Sequence, residues 1–149
     1  MNQIQKKMKK LLTASIVLLF GVMAYAQTPI GTWKTIDDKS GKEKSYVKIY
    51  ETKSGKLQGD VTKILTEGKE NAKCTECEGD NKDQPIKGMT IMWGLEKDGS
   101  EWSGGHILDP NSGKQYKCYI KLKDKNTLEV RGYLGVSLLG RTQTWKRVD

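Results

Sequence analysis

The segment EWSGGHILDPNSGKQYKCYIKLKDKNTLEVRGYL, residues 101–134, decides the fold because it holds three alternating apolar runs and two turns. The runs occupy residues 101–108, 114–122 and 127–134, and the turns are Asp109-Pro110-Asn111-Ser112-Gly113 and Lys123-Asp124-Lys125-Asn126. Alternation with a period of two is typical of strands with one buried face, and short polar turns join such strands as hairpins. The segment therefore predicts three consecutive antiparallel strands.

The same rhythm continues on both sides of this segment. Further alternating runs occupy residues 30–36, 44–51, 56–65, 86–95 and about 140–148. Glycines inside the runs, such as Gly59, Gly94 and Gly104, suit strands that bend sharply to close a barrel. We predict an all-β fold, a small up-and-down antiparallel β-barrel of about eight strands, with a β-sandwich as the alternative.

Alternation also assigns residues to the two faces of each strand. The groups expected to share a face are Leu57, Gly59 and Val61; Met89, Ile91 and Trp93; Trp102, His106 and Leu108; and Arg141, Gln143, Trp145 and Arg147. Most aromatic residues in the runs are expected to pack in the core. The rest are expected to line a pocket for an apolar or planar ligand.

The first 26 residues differ in character from the rest of the chain. Four lysines before residue 11 come without any acid, the apolar stretch 11–23 follows, and Ala24-Tyr25-Ala26 ends it. This pattern predicts a cleavable signal peptide over residues 1–26, too short to span a membrane. The single domain would then occupy residues 27–149, in the periplasm of a Gram-negative bacterium or secreted. Because no cysteine precedes Cys74, we expect no lipid anchor.

Charge and hydropathy exclude two classes of partner. The formal net charge is +8, and it falls to +4 when the four lysines of the signal segment are set aside. That excess is too small to indicate a protein that binds nucleic acid. No second apolar run approaches about 18 residues, so we expect no membrane span. About 120 residues suffice for one domain with its own core.

Three cysteines occur, Cys74 and Cys77 in a polar stretch at 66–85, and Cys118 in a predicted strand. In an oxidising compartment we expect a structural disulfide, either within the close pair or from one of its members to Cys118. A redox pair and free thiols are the alternatives. A metal site formed with His106 has suitable ligand types but lacks a second closely spaced pair. We therefore predict neither a metal nor a cofactor.

Residues suited to catalysis are sparse. His106 is the only histidine, and neither a G-x-S-x-G nor an H-E-x-x-H motif accompanies it. Asp109 begins a turn whose Pro110 and Gly113 are typical turn residues. Nothing in the sequence fixes a second carboxylate beside Asp109 for acid–base chemistry. We predict that the protein is not an enzyme.

Several motifs together resemble one family. They are GTWKTIDD at 31–38, LQGD at 57–60, the CxxC pair, PIKGM at 85–89, WSGGHILDP at 102–110, LEVRGY at 128–133 and GRTQTW at 140–145. The combination is similar to the bacterial exported family called domain of unknown function 2147. The tripeptide Gly31-Thr32-Trp33 on the first strand, with an arginine on the last, also resembles the lipocalin and calycin pattern. In that pattern the tryptophan plugs the barrel floor and the arginine packs across it.

The resemblance covers residues 30–147 and implies a small lipocalin-like barrel in the periplasm or outside the cell. It implies no reaction and supplies no catalytic residue. It also favours a disulfide between Cys118 and the 66–85 stretch, without choosing between Cys74 and Cys77.

The function that we predict is binding of a small apolar or amphiphilic ligand in the barrel pocket. An apolar wall would hold an acyl chain, and an arginine would take its carboxylate or phosphate end. The candidate ligand-binding residues are Trp33, Trp102, Arg131, Tyr133, Arg141 and Trp145. The alternative is a structural or envelope-stress protein that acts through its surface, and an enzyme is the least favoured class. The sequence determines neither the ligand nor the oligomeric state.

Overall fold

The computed structural model describes residues 27–136 and 138–149. The predicted signal peptide at 1–26 lies outside these described residues. The strands are β1 (Gly31–Ile36), β2 (Glu43–Glu51), β3 (Leu57–Ile64), β4 (Thr90–Asp98), β5 (Glu101–Asp109), β6 (Lys114–Asp124), β7 (Thr127–Tyr133) and β8 (Gly140–Arg147). Most of these bounds follow the predicted runs closely because the strands end near turn residues, whereas β4 begins four residues later and ends three residues later than the predicted run 86–95.

The eight strands form a closed barrel in which every strand pairs with its neighbours in sequence and β1 pairs with β8. All pairs are antiparallel, and Trp33 opposite Arg147 closes the ring. The prediction of an up-and-down barrel is confirmed, and the sandwich is wrong. No helix in the described part of the chain is long and apolar enough to cross a membrane.

Strands β2 and β3 show how the alternation builds the core. Val47 and Ile49 are buried, as are Leu57, Gly59 and Val61, so the predicted shared face of the latter three is confirmed. A Cβ atom at Gly59 would lie 3.1 Å from Cγ1 of Val47. Glycine at this position therefore allows the side chains of the neighbouring strand to fill the interior.

Trp33 closes one end of the barrel, which we call the floor. The indole is fully buried, and its Nε1 donates to the carbonyl of Pro29 at 2.8 Å. The guanidinium carbon of Arg147 lies 4.3 Å from the centroid of the indole. Arg147 also donates to the carbonyls of Lys125, Ile30 and Thr28 at 2.6, 2.9 and 2.9 Å. Arg147, at the end of β8, thus binds the segment that precedes β1 and the turn between β6 and β7.

Strands β4 and β5 each carry an irregularity at a glycine. Gly94 and Gly104 have φ angles of +75° and +74°, a region that glycine enters without strain. The two strands stay in register with each other, whereas each shifts register against its other neighbour. Because an extra residue reverses the faces of the residues beyond it, simple alternation fails along both strands.

A second register shift of β4 against β3, at Ile91, and the bulge at Gly104 overturn two of the face predictions. Trp93 does not share the buried face of Ile91, since it pairs with the exposed His106. Their rings stack with centroids 5.7 Å apart and planes 16° apart. Trp102 and Leu108 are buried, so His106 does not share their environment either. His106 therefore lies on the outside of the wall.

Within the stretch 66–85 a disulfide joins Cys74 and Cys77, whose Cα atoms are 5.3 Å apart. Both cysteines are buried, and Cys118 is buried and free. The pairing of Cys118 with this stretch, which the family resemblance favoured, is therefore wrong. Because Cys74 and Cys77 bind each other, they do not form a metal site with His106. No group of three or more metal-ligating side chains occurs in the described residues.

The same stretch contacts the turn between β5 and β6. The sulfur of Cys74 lies 3.2 Å from the carbonyl oxygen of Pro110. Gly113 has φ +70°, and a Cβ atom there would overlap the peptide group of Glu76. The 66–85 stretch therefore packs so closely on the backbone of Gly113 that a residue with a side chain does not fit there.

Burial makes Cys118 unreactive, which gives a first prediction. Desolvation in the wall raises the pKa of its thiol to about 12, so almost no thiolate exists at about pH 8. We expect a thiol reagent to leave the native protein unlabelled and to label one site after unfolding without reductant. Reduction of the unfolded chain should raise the count to three. Rapid stoichiometric labelling of the native protein would contradict the burial of this thiol.

Candidate functional site

A cavity of about 480 Å³ lies at the end of the barrel opposite the floor. It is surrounded by the connections β1–β2, β5–β6 and β7–β8, which form its mouth. The lining residues are Thr35, Ile36, Asp37, Lys44, Ile91, Ile107, Leu108, Asp109, Pro110, Asn111, Tyr116, Val130, Gly132, Tyr133, Leu134, Leu139, Gly140, Arg141, Gln143 and Trp145. A volume of this size is in the range of small-molecule sites.

The inner wall of the cavity is mainly apolar. Ile91, Ile107 and Val130 line it together with the rings of Tyr116 and Trp145. Gly132 contributes space, because a Cβ atom there would lie 3.3 Å from Cγ2 of Ile107. The inner wall therefore offers an apolar surface to a ligand, and the charged residues of the lining lie nearer the mouth.

Strand β8 supplies one side of the cavity. Arg141, Gln143 and Trp145 all line it, as their predicted shared face requires. The Nε1 of Trp145 donates to Oε1 of Gln143 at 3.0 Å, so the indole has its hydrogen bond within the site. The indole is buried and borders the cavity, so its fluorescence would report on a ligand bound there.

The carboxylates that line the cavity, Asp37 and Asp109, belong to turns. Asp37 accepts hydrogen bonds from the amide and the hydroxyl of Ser40 at 2.9 and 2.6 Å. These bonds hold its pKa below the usual value, and the charges of Lys44 and Arg141 lower that pKa further. Asp109 accepts from the amide of Asn111 and the hydroxyl of Ser112. Both carboxylates thus have donors within their own turns.

The two cations that line the cavity differ in their partners. Arg141 forms an ion pair with Asp38, to which both Nε and Nη2 donate. Lys44 is half-buried, and the ion pairs of the described residues leave its ammonium without a carboxylate partner. Arg141, one of the predicted ligand-binding residues, is therefore already paired with a carboxylate. The ammonium of Lys44 can donate hydrogen bonds to a ligand.

A bulge explains why alternation did not identify Lys44. Thr35 pairs with Ser45 and Ile36 pairs with Glu43, so Lys44 lies opposite the bond between two residues of β1. Regular pairing would place Lys44 on the outer face, together with Tyr46. Only an irregularity at this end of β2 brings it to the cavity, and the local sequence contains no glycine to signal it.

The six predicted ligand-binding residues do not all meet at the cavity. Arg141 and Trp145 do, whereas Trp33 belongs to the floor and does not line the cavity. Trp102 is buried near the β4–β5 turn, with the Lys97 ammonium 4.1 Å from its ring centroid. That turn is at the floor end, so Trp102 is also remote from the mouth.

Arg131 and Tyr133 lie mainly on the outer wall. Arg131 follows the buried Val130 and donates to Oγ1 of Thr142 at 2.8 Å, and it does not line the cavity. Of the two arginines expected near the polar end of a ligand, Arg141 is therefore the one that lines this cavity. Tyr133 borders the cavity, but its ring centroid lies 6.2 Å from that of Tyr119.

Comparison with known proteins agrees with this geometry. The model of a family described as "Uncharacterized protein conserved in bacteria (DUF2147)" matches residues 31–147. The chain belongs to this family. A search of curated proteins gave no match.

The DUF2147 chain is also similar to a solved structure, described as "Protein HP1028 from the human pathogen Helicobacter pylori belongs to the lipocalin family". The TM-score is 0.73 at 21% identity, over 83% of this chain and 85% of that chain. At this identity the likeness concerns the fold. The floor of Trp33 and Arg147 in this DUF2147 member matches the arrangement that the lipocalin resemblance implied.

Proposed function

We propose that this DUF2147 member binds a small amphiphilic molecule, with the apolar part of the ligand in the cavity and its polar end at the mouth. The observation that carries the proposal is a closed barrel whose 480 Å³ cavity has an apolar wall and charged groups confined to its rim. A ligand with an acyl chain complements such a wall because burial of apolar surface drives binding.

Lys44 supports a ligand whose polar end accepts hydrogen bonds. Its ammonium carries three donors and has no ion-pair partner among the described residues. The carboxylates of Asp37 and Asp109 already accept hydrogen bonds in their turns. We therefore propose a carboxylate or phosphate head group, placed at Lys44 rather than at Arg131 or Arg141.

Binding rather than catalysis is the activity that we propose. His106 lies on the outer wall and stacks on Trp93, whereas Asp109 lies at the mouth. A general acid and a general base must reach the same substrate to act together. Because His106 and Asp109 lie apart, they do not form an acid–base pair that could act on one substrate. We propose the periplasm or the exterior of the cell as the place of action, following the signal pattern of residues 1–26.

A titration with three probes of equal chain length tests the proposal. Dodecanoate, dodecanol and dodecyltrimethylammonium are each added to the protein while tryptophan fluorescence is followed. We expect saturable binding of dodecanoate and weaker binding of the cationic probe. Lys44→Gln should weaken dodecanoate binding by about three- to tenfold and leave dodecanol binding nearly unchanged.

A cavity-filling variant provides the second arm of the test. Val130→Phe adds a ring at the inner wall and should weaken all binding by at least about tenfold. The matched control is Val148→Phe, since Val148 is exposed and does not line the cavity. Absence of any saturable change with the unaltered protein, together with a crystallographic interior filled by side chains, would overturn the proposal.

A further inference from the structure

The β7–β8 hairpin carries an exposed apolar tip at the cavity mouth. The tip consists of Leu134, Val136, Leu138 and Leu139, which are 59, 59, 87 and 69% exposed. Two of them, Leu134 and Leu139, also line the cavity. Water-exposed aliphatic side chains in such a group are unfavourable in a monomer and mark an interaction site.

Directly below the tip, the outer wall carries a belt of aromatic and basic residues. Tyr133 pairs with Lys117 across β6 and β7, and Arg131 pairs with Tyr119. Lys117 and Tyr119 flank the buried Cys118, so these pairs lie on the outside of the barrel. Tyrosine and basic side chains are typical of the zone where a protein meets lipid head groups.

Basic side chains lie beside the tip on the neighbouring strands. Arg131 and Arg141 flank the tip on β7 and β8, whereas Lys146 and Arg147 lie at the floor end. Asp38 binds Arg141, whereas Lys117 is an exposed cation of the belt. Basic groups beside an inserted apolar segment attract anionic lipids.

We propose that the apolar tip inserts into the surface of a bilayer that contains anionic lipids, with the belt at the head groups. The mouth then faces the lipid, because Leu134 and Leu139 belong both to the tip and to the cavity lining. A bilayer complements this surface better than a folded partner does, since the tip is a short convex hairpin end rather than a broad face. The docking does not depend on the proposed ligand.

Co-sedimentation with sucrose-loaded vesicles tests the proposal. The protein that begins at Gln27 is used, because all eight strands and the buried core lie within it. We expect it to sediment with vesicles of phosphatidylcholine and phosphatidylglycerol, and much less with phosphatidylcholine alone. The double variant Val136→Ser with Leu138→Ser should bind at least about tenfold more weakly. Lys117→Gln should weaken binding about fivefold and reduce its sensitivity to salt.

A matched control distinguishes insertion of the tip from nonspecific adsorption to the vesicles. Ile30 and Val148 are 39 and 46% exposed at the floor end, and replacing both by serine should leave vesicle binding unchanged. Failure of the unaltered protein to bind anionic vesicles, or equal loss in the control, would overturn the docking. So would a dimer in sedimentation equilibrium that the tip variant abolishes. Because the tip variant should keep dodecanoate binding and Val130→Phe should keep vesicle binding, the two proposals fail separately.

Discussion

Replacing Trp33 by alanine is expected to lower the free energy of unfolding by about 3–5 kcal/mol. The indole is fully buried, and it supports Arg147 at 4.3 Å, so its removal leaves a cavity and an unsupported guanidinium at the floor. A loss of this size is a large part of the stability of a domain of this length. Urea unfolding followed by circular dichroism measures it without relying on tryptophan fluorescence.

Two variants provide controls for the floor. Trp93→Ala makes the same change at a partly buried indole, which stacks on His106 at the outer wall and packs against the edge of the core, and should cost about 1–2 kcal/mol. Trp33→Phe keeps much of the apolar volume but loses the hydrogen bond to Pro29, and we expect an intermediate cost. Equal destabilisation by Trp33→Ala and Trp93→Ala would refute the structural role of the floor.

Gly113→Ala is expected to destabilise the protein by about 2–5 kcal/mol. The residue has φ +70°, and its new Cβ atom would overlap the peptide group of Glu76. The 66–85 stretch must then move away from the β5–β6 turn, which exposes the buried Cys74 and Cys77. Urea unfolding measures the cost, and faster tryptic cleavage within this stretch would locate it.

Gly99 offers a matched control for this change. Its φ is +61°, and a Cβ atom there would meet nothing within 4 Å. Gly99→Ala therefore carries the backbone strain alone, about 1–2 kcal/mol. The difference between the two variants measures the packing of the 66–85 stretch. If both glycines gave the same loss and the same cleavage rate, that packing would contribute nothing.

The fold was predictable because its signals are local. Val47, Ile49, Leu57 and Val61 are buried where alternation places them, and turn residues end the strands. A closed barrel then follows from consecutive hairpins, since β1 and β8 must meet to leave no edge. The family resemblance added the floor, where Trp33 and Arg147 lie together.

The site was less predictable because irregular pairing controls it. The register shift of β4 at Ile91 and the bulge at Gly104 place Trp93 and His106 outside, and the irregular end of β2 brings Lys44 to the cavity. An extra residue changes faces without altering composition, so period-two alternation cannot locate it. Cysteine pairing likewise depends on distances in the folded chain, where Cys74 binds Cys77 and Cys118 is free.

The position of Arg147 has a practical consequence for attachments to this protein. Because it donates to Thr28 and Ile30 and lies two residues before the final Asp149, the first and last described segments meet on the same side. A fluorescent fusion or a surface tether joined to either segment would emerge there. It would leave the opposite side unobstructed, so immobilised protein would present that side to the solution in a uniform orientation.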